Sequence, residues 1–286
     1  MTYNTPMPLE SSIAYLRGAF MPFREANLSI ASSSVLYGMS IYTVFCVTDG
    51  KPFRLQDHYD RLCNSSKLVG MFPFDGYVSF EQFETTMLEL VKRNGEQNAL
   101  VRVAYFLDAN AAGTKIHGIK TELSAYVLPM KSLYGKEAID VCISSWVRVA
   151  DNMIPPRAKI NGSYANACLM KNEALQKGYD EAIAINSAGY ISEATVANIF
   201  YIKNGEIFTP DTNSDILVGI TRDTVMKIKK VTEKKVTKED LYTADEIFLT
   251  GSSAGIVSVK SIDGKEIPNN TITKEIAKAY EALKRS

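Results

Sequence analysis

Two short turns between apolar, β-branched segments constrain the fold of this chain more than any other feature. Residues 41–54, IYTVFCVTDGKPFR, predict two strands joined by Asp49-Gly50, and residues 197–210, ANIFYIKNGEIFTP, repeat the pattern with Asn204-Gly205. Asp-Gly and Asn-Gly favour the tight turns of β-hairpins, which pair strands antiparallel. The regular strand–helix alternation of a doubly wound parallel sheet is missing. The sequence therefore predicts an α+β (mixed α/β) fold, with mixed or antiparallel sheets and packed helices.

Helical periodicity and start and stop signals define the other elements. Ser79 begins a helix with Gln82 as its capping-box partner, and Gly95 ends it. The pattern predicts helices over residues 55–71, 79–95, 162–178, 221–235 and 273–286.

The chain has 286 residues, which suits one large domain or two smaller ones. A stretch with Pro and Gly, AYVLPMKSLYGKEA, separates two groups of predicted elements. We therefore expect a small N-terminal α+β domain over 1–126, a linker over 127–137, and a larger C-terminal domain over 138–286.

Charge and composition exclude several classes of function. Lys+Arg and Asp+Glu both number 32, and a net charge of zero argues against nucleic acid or an anionic membrane as partner. No apolar run approaches the roughly 20 residues of a membrane span, and the start, MTYNTPMPLESS, lacks the features of a signal peptide. The 4 cysteines and 2 histidines lack metal-ligand spacing, so we expect no metal and free thiols in a reducing cytoplasm.

Two segments are candidates for binding an anion. LVGITRD, residues 217–223, places Thr221 at a predicted helix start, where backbone N–H groups and the helix dipole favour negative charge. TGSSAG, residues 250–255, follows a predicted strand and offers small residues with hydroxyls. Taken alone, Thr221 is better explained as a helix N-cap and TGSSAG as an ordinary turn; the two segments together, with an arginine from the first, would hold a phosphate.

Lys159 and Glu193 are the candidate reactive groups. Lys159 follows a Pro-Pro turn and precedes small residues in IPPRAKINGSY, so it is either an idle loop lysine or an amine placed to attack carbonyls. Glu193 is either a helix-start charge or a buried acid that needs a cation. A reactive lysine, an anion cradle and a buried acid are together what a pyridoxal phosphate enzyme requires.

The order and wording of these motifs resemble the class IV aminotransferases, which are fold type IV pyridoxal phosphate enzymes. IPPRAKINGSYANACLMKNEALQKGYDEAIAINSAGYISEATVANIF, LVGITRD and DEIFLTGSSAGI carry the resemblance, and LYG and HYDRL extend it to the N-terminal half. SSWVRVADNMIPPRAK and GYISEATVANIF look most like branched-chain amino acid aminotransferases.

The resemblance implies roles for particular residues. Lys159 is the implied Schiff-base lysine and proton carrier, and Glu193 the partner of the pyridine nitrogen. The implied cofactor-binding residues are Arg61, Lys159, Tyr164, Glu193, Ile220, Thr221 and Ser252. The implied substrate-binding residues are Tyr37, Tyr42, Arg102, Ser252 and Ser253, with Tyr37 acting across a homodimer interface.

Departures from the branched-chain pattern leave the substrate open. That pattern reads YG…F-E-G-I-R in the first hairpin, whereas Thr43, Val44 and Cys46 replace its glutamate, glycine and arginine. We expect transfer of an amino group from leucine, isoleucine or valine to 2-oxoglutarate. The alternatives are D-amino acid or (R)-amine transamination, aminodeoxychorismate lyase chemistry, and a noncatalytic binding protein on the same scaffold.

Overall fold

The structure is a computed structural model that describes residues 12–109, 113–130 and 133–285. The start of the chain, part of the loop at 109–118, two linker positions and the last residue lie outside this range. The described chain forms two compact units, one of residues 12–109, 113–130 and 158–162, the other of residues 133–157 and 163–285.

The first unit is built on a six-stranded sheet with the order β2-β1-β6-β5-β3-β4. Its neighbouring strands pair antiparallel. The strands are β1 (Ile13–Leu16), β2 (Ala19–Pro22), β3 (Ser40–Thr48), β4 (Lys51–Pro52), β5 (Ala99–Leu107) and β6 (Thr121–Pro129). The helices are α1 (Ser33–Tyr37), α2 (Leu55–Leu68), α3 (Phe74–Tyr77) and α4 (Phe80–Arg93).

The two faces of this sheet differ in character. Helices α2 and α4 cover one face, where Phe45 and Val101 join a core with Leu62, Phe83 and other apolar side chains. Strand residues alternate between faces, so Tyr42 and Arg102 point away from that core. The capping box of Ser79 and Gln82 is present, as the sequence predicts.

The second unit is built on a larger mixed sheet with the order β12-β11-β10-β13-β14-β7-β8-β9, and β15 pairs with β14. The strands are β7 (Ala138–Val147), β8 (Glu181–Ile185), β9 (Ile191–Ala194), β10 (Asn198–Lys203), β11 (Glu206–Pro210), β12 (Val231–Lys234), β13 (Glu246–Gly251), β14 (Gly255–Ile262) and β15 (Lys265–Glu266). The helices are α5 (Tyr164–Gln176), α6 (Ile220–Ile228), α7 (Lys238–Tyr242) and α8 (Thr271–Arg285).

Helices α6 and α8 pack on one part of this sheet, where the rings of Phe200 and Phe248 stack with centroids 4.8 Å apart. Helix α5 packs on β7 and β8 through Met170 and small neighbours. The pairings of β7 with β8 and β14, and of β11 with β12, are parallel, and the other pairings are antiparallel. The predicted mixed sheets are therefore confirmed.

One predicted helix is wrong in its second half. The helix expected over 221–235 ends at Ile228, and Val231–Lys234 forms strand β12, parallel to β11. The β-branched pair Val231-Thr232 and the free edge of β11 favour pairing over further helical turns. Residues 127–129, expected in the linker, form the end of β6. No helix among the described residues is long and apolar enough to cross a membrane.

Candidate active site

Lys159 lies in a short segment, residues 158–162, that pairs with the edge of β3 in the first unit and is called the closing segment below. The Tyr42 N–H donates to the Lys159 carbonyl at 3.1 Å, and Ile41 and Ile160 form an antiparallel bridge. Lys159 has φ of 48°, a left-handed conformation that is uncommon and costly for a residue other than Gly, Asn or Asp. Backbone contacts of Lys159 and Ile160 with β3 hold this conformation, which is the behaviour expected at a functional site rather than in an idle loop.

Two glycines allow this segment to approach the strand closely. The Gly162 N–H donates to the Gly38 carbonyl at 3.0 Å. A Cβ on Gly38, whose φ is 66°, would lie 2.5 Å from the Gly162 Cα. Only glycine therefore fits at position 38, immediately after Tyr37, which ends α1 and is half exposed.

Tyr42 provides a ring that two cationic side chains share. The Lys159 Nζ lies 4.7 Å from the ring centroid, and the Arg102 Cζ lies 3.9 Å from it. Arg102 also donates to Asn161 Oδ1 at 2.7 Å, and Asn161 Nδ2 donates to Ser40 Oγ at 2.6 Å. The structure thus brings together three of the residues selected from sequence: Lys159, Tyr42 and Arg102.

Arg102 carries a positive charge that no carboxylate of the described chain neutralises, since none forms an ion pair with it. Its hydrogen-bond partner, Asn161, is a neutral amide. A half-buried cation beside a neutral amide and an aromatic face is suited to binding an anionic group.

Arg61 belongs to a different cluster of the first unit, on the α2 side of the sheet. Its Nη2 donates to Thr43 Oγ1 at 2.5 Å and lies 3.2 Å from His58 Nδ1. Thr43 and His58 are buried, and neither was selected from sequence. Burial, and then the charges of Arg61, Lys159 and Arg54, hold the pKa of His58 well below its ordinary value.

In the second unit, Glu193 is a buried acid within β9 and not a charge at a helix start. It is 4% exposed, and its carboxylate accepts hydrogen bonds from Arg148 Nη2, from Asn198 Nδ2 at 2.9 Å and from the Leu217 N–H at 3.2 Å. Arg148 is itself 7% exposed. The helix-start explanation is therefore wrong, and the cationic partner that a buried acid requires is Arg148, which sequence analysis missed.

Asn198 joins Glu193 to the two predicted anion segments. Its Nδ2 also donates to the Leu217 carbonyl at 2.7 Å, and its backbone faces Thr250 in the pairing of β10 with β13. A Cβ on Gly219 would lie 2.2 Å from Asn198 Oδ1, so a larger residue just before α6 would displace the Asn198 side chain from its hydrogen bonds. Helix α6 therefore begins beside the end of β13.

Both anion segments have the features that a phosphate group needs. The N-cap of α6 is Gly219, with no side-chain cap, so the explanation of Thr221 as an N-cap is wrong. Thr221 is 3% exposed and lies in the first turn, where helical N–H groups have no intrahelical acceptor. Thr250 Oγ1 is buried and has no hydrogen-bond partner within the described residues. Ser252 and Ser253 lie in the turn between β13 and β14.

These observations fit the residues to pyridoxal phosphate. The second unit offers an anchored carboxylate, a helix N-terminus shaped by glycine, and an unsatisfied buried hydroxyl at the adjacent strand end. Tyr164, the first residue of α5, is partly buried in the same unit. The first unit offers a lysine in a constrained conformation.

Comparison with known proteins identifies the family. A family model described as amino-transferase class IV matches residues 40–262. The chain belongs to this family, the class IV aminotransferases. It is 36% identical over 284 residues to a probable branched-chain-amino-acid aminotransferase of Aquifex aeolicus, a match that covers 93% of this chain and 90% of that protein.

Solved structures agree with this assignment. The branched-chain aminotransferase of the archaeon Thermoproteus uzoniensis, with norvaline, has a TM-score of 0.91 at 30% identity, with 96% of this chain and 95% of that one covered. The branched-chain amino acid aminotransferase of Thermobaculum terrenum, in its PLP-bound holo form, has a TM-score of 0.88 at 27% identity, with 96% and 95% covered. The predicted family, fold class and pyridoxal phosphate dependence are confirmed.

Proposed function

We propose that this chain transfers the amino group of branched-chain L-amino acids to 2-oxoglutarate. The observation that carries the proposal is the ring of Tyr42, which the Lys159 amine and the Arg102 guanidinium share. Such an enzyme alternates between an aliphatic amino donor and a dicarboxylic oxo acid. It therefore needs both an apolar wall and a cation near the reactive amine, and the ring of Tyr42 and the charge of Arg102 supply them.

The reactive amine is Lys159. Pyridoxal 5'-phosphate, when bound, supplies an electron sink for the carbanion that forms when the substrate loses its α proton. Lys159 Nζ holds the cofactor between turnovers, takes the α proton and later returns a proton to the reacting centre. The backbone contacts of the closing segment with β3 fix the backbone position from which the Lys159 side chain extends.

Glu193 keeps a proton on the pyridine nitrogen of the cofactor. Arg148, Asn198 and the Leu217 N–H orient its buried carboxylate, which would hydrogen-bond to the protonated ring nitrogen of the bound cofactor. Tyr164 donates a hydrogen bond to the phenolic oxygen of the cofactor.

The phosphate is bound by Arg61, by the helix start at Ile220 and Thr221, and by Ser252. Arg61 supplies a full positive charge, and the others supply N–H groups and hydroxyls. Backbone groups at Ser252 and Ser253 also bind the substrate's α-carboxylate.

The substrate side chain is bound by Tyr37, Tyr42 and Arg102. The aromatic rings enclose leucine, isoleucine or valine by apolar contact, and Arg102 pairs with the γ-carboxylate of glutamate or 2-oxoglutarate. The relatives reported above carry the branched-chain name, so D-amino acid, (R)-amine and lyase activities are not favoured.

We also propose a homodimer in the cytoplasm. Helix α1 exposes Val35, Leu36 and Tyr37 on one short stretch, which supports an apolar contact with a second copy. The cysteines are free thiols, and Cys168 is exposed, which supports a reducing compartment. Light scattering of the purified protein measures the oligomeric state.

Lys159→Ala tests the proposal. The change should abolish transamination while the protein stays folded, because it removes the reactive amine but no large apolar side chain. Lys115→Ala, at an exposed lysine of the same unit, is the matched control and should retain activity. Borohydride reduction of the wild type should attach the cofactor to the peptide that contains Lys159. Attachment to another lysine, or near-normal turnover by Lys159→Ala, would refute the assignment.

A panel of amino donors tests the substrate. Leucine, isoleucine and valine should react with 2-oxoglutarate faster than D-alanine or an (R)-amine. The opposite order would contradict the branched-chain proposal and leave membership of the family unaffected.

A further inference from the structure

A closed triangle of hydrogen bonds surrounds one end of Arg61. Thr43 Oγ1 and His58 Nδ1 lie 2.7 Å apart, and Arg61 Nη2 lies 2.5 Å from the first and 3.2 Å from the second. Thr43 comes from β3, whereas His58 and Arg61 lie three residues apart on the same face of α2. The side chain of Arg61 is thus fixed from both a strand and a helix.

The donors in this triangle can be assigned because arginine has no acceptor. Arg61 Nη2 donates to Thr43 Oγ1, and its 3.2 Å contact with His58 Nδ1 is a hydrogen bond when Nδ1 carries a lone pair and the imidazole proton resides on Nε2. The Thr43 hydroxyl accepts from Arg61 and then donates its own proton to Nδ1, so that Thr43 and Arg61 share the single lone pair of this nitrogen. A charged imidazolium would carry a proton on Nδ1 and lose the contact with Arg61.

The surroundings of His58 favour the neutral form. The imidazole is 2% exposed and its ring centroid lies 5.7 Å from that of Phe45 in the core. The charged groups that act on it are Arg61 in α2, Lys159 in the closing segment and Arg54 immediately before α2, and all three are cationic. Burial and these cations hold the pKa of His58 well below its ordinary value.

We infer that Thr43 and neutral His58 are positioning residues that orient the Arg61 guanidinium for the phosphate of the cofactor. The inference rests on the proposed function, which assigns Arg61 to that phosphate. With Nη2 tied to both residues, the guanidinium cannot rotate freely, and its remaining N–H groups keep one direction. A donor that is oriented before binding loses less conformational entropy when the phosphate arrives.

The test compares two ligands that differ only in the phosphate. Affinities for pyridoxal phosphate and for pyridoxal are measured on the full-length protein after its cofactor has been removed. Arg61→Ala should weaken pyridoxal phosphate binding by about tenfold to a hundredfold, as expected for loss of a charge-assisted hydrogen bond. Thr43→Val should weaken it by about threefold to tenfold, as expected when one side chain must be ordered on binding instead of beforehand. Neither change should alter binding of pyridoxal.

Conservative variants and matched controls separate orientation from general damage. Thr43→Ser keeps the hydroxyl and should restore affinity. His58→Asn keeps an acceptor near the Nδ1 position and should bind pyridoxal phosphate better than His58→Leu. Thr48→Val makes the same substitution at a buried position of the same strand, where the hydroxyl has no partner in the described chain, and should leave affinity unchanged.

The tautomer provides a readout independent of ligand binding. The chain has only 2 histidines, so the exposed His117→Gln variant leaves His58 as the sole imidazole signal. Nitrogen-15 NMR of this variant should show a neutral ring with its proton on Nε2. A proton on Nδ1, or a charged ring at neutral pH, would overturn the inference.

Failure of the inference is distinguishable from failure of the proposed function. If Arg61→Ala left the affinity for pyridoxal phosphate unchanged, Arg61 would not bind the phosphate. The positioning role of Thr43 and His58 would then be refuted as well. Weaker binding in Arg61→Ala with no effect of Thr43→Val or His58→Leu would overturn the positioning role alone. The positioning role would also be overturned if Thr43→Val weakened pyridoxal binding as much as pyridoxal phosphate binding. It would equally be overturned if Thr43→Val weakened pyridoxal phosphate binding to the same extent in the Arg61→Ala background. If His58→Leu does not fold, the ligand affinities of Thr43→Val and the NMR tautomer of His58 still test the positioning role.

Discussion

The buried pair of Glu193 and Arg148 makes the simplest test of Glu193 harder to interpret. Glu193→Gln removes the charge that is proposed to hold the pyridine proton, and it should slow α-proton removal in single-turnover experiments more than it weakens cofactor retention. The same change also leaves the Arg148 guanidinium buried beside a neutral amide. Activity could then fall because the protein is less stable.

The size of this second effect follows from the burial of the pair. The two side chains are only 6% and 5% exposed, and Arg148 Nε has no hydrogen-bond partner among the described residues. Removing one member of a buried ion pair costs about 3–5 kcal/mol of folding free energy. We expect Glu193→Gln near the lower limit, because the amide oxygen still accepts from Arg148. Arg148→Met should lose a similar amount, about 3–5 kcal/mol, because the buried Glu193 carboxylate loses its cationic partner.

A double-mutant cycle separates the two effects. The double variant Glu193→Gln, Arg148→Met buries no unpaired charge, and replacing a whole buried pair by neutral groups is often close to neutral in stability. It should therefore be more stable than either single variant, with a coupling energy of at least about 2 kcal/mol. It should still be slow in α-proton removal, because the carboxylate is absent.

The assay is urea unfolding of the cofactor-free protein, so that ligand binding does not add to the apparent stability. Single-turnover rates are then measured on the reconstituted variants. Losses that simply add, within about 0.5 kcal/mol, would show that the two charges do not depend on each other. Recovery of proton-removal rate in the double variant would show that Glu193 acts through stability and not on the pyridine nitrogen.

Three further predictions concern the lysine segment and its neighbours. Arg102→Leu should lower kcat/KM for 2-oxoglutarate at least about tenfold more than for the oxo acid of leucine, since only the former needs a cation; equal losses would remove Arg102 from side-chain recognition. Asn161→Asp should have the same selective effect by neutralising Arg102, whereas Asn161→Ala should not. Gly38→Ala should cost more than about 1 kcal/mol in urea unfolding and lower activity, because its Cβ would meet Gly162. Gly18→Ala, with positive φ but nothing within 4 Å, is the control for the backbone cost alone.

Local signals in the sequence were sufficient where neighbouring residues alone decide the structure. Asn204 and Gly205 both have positive φ, as the tight hairpin turn predicted from Asn-Gly requires, and Ser79 caps α4. The helix expected over 221–235 failed because its second half is decided by a distant strand, β11, which sequence spacing does not reveal.

The sequence was sufficient to predict residues of the candidate site, but not the residues that contact them. Lys159 was found because an isolated lysine among Pro, Gly and Ser is unusual and because its motif resembles a known family. Arg148 was missed because it lies 45 residues from Glu193 in sequence, and only the fold of β7 and β9 brings them together. Arg148 lies between valines in VRVA, but the same four residues enclose the half-buried Arg102, so this local pattern does not by itself identify a buried cation.

Thr43 and His58 were missed for another reason. Each is an ordinary residue for a strand or a helix, and Thr43 appeared in the sequence only as a departure from the branched-chain pattern. Their role depends on the hydrogen bonds among Thr43, His58 and Arg61. Those hydrogen bonds can be identified only from interatomic distances, which the sequence does not give.

The closing segment at 158–162 affects the order in which the chain can fold during synthesis. The acceptor for the Tyr42 N–H is the carbonyl of Lys159, which leaves the ribosome long after β6 is complete. Until then this end of β3 is an unpaired strand edge, which another chain can join. A fragment that ends before residue 158 keeps this edge open permanently, so we expect it to self-associate. Completion of the first unit therefore waits for translation of the beginning of the second.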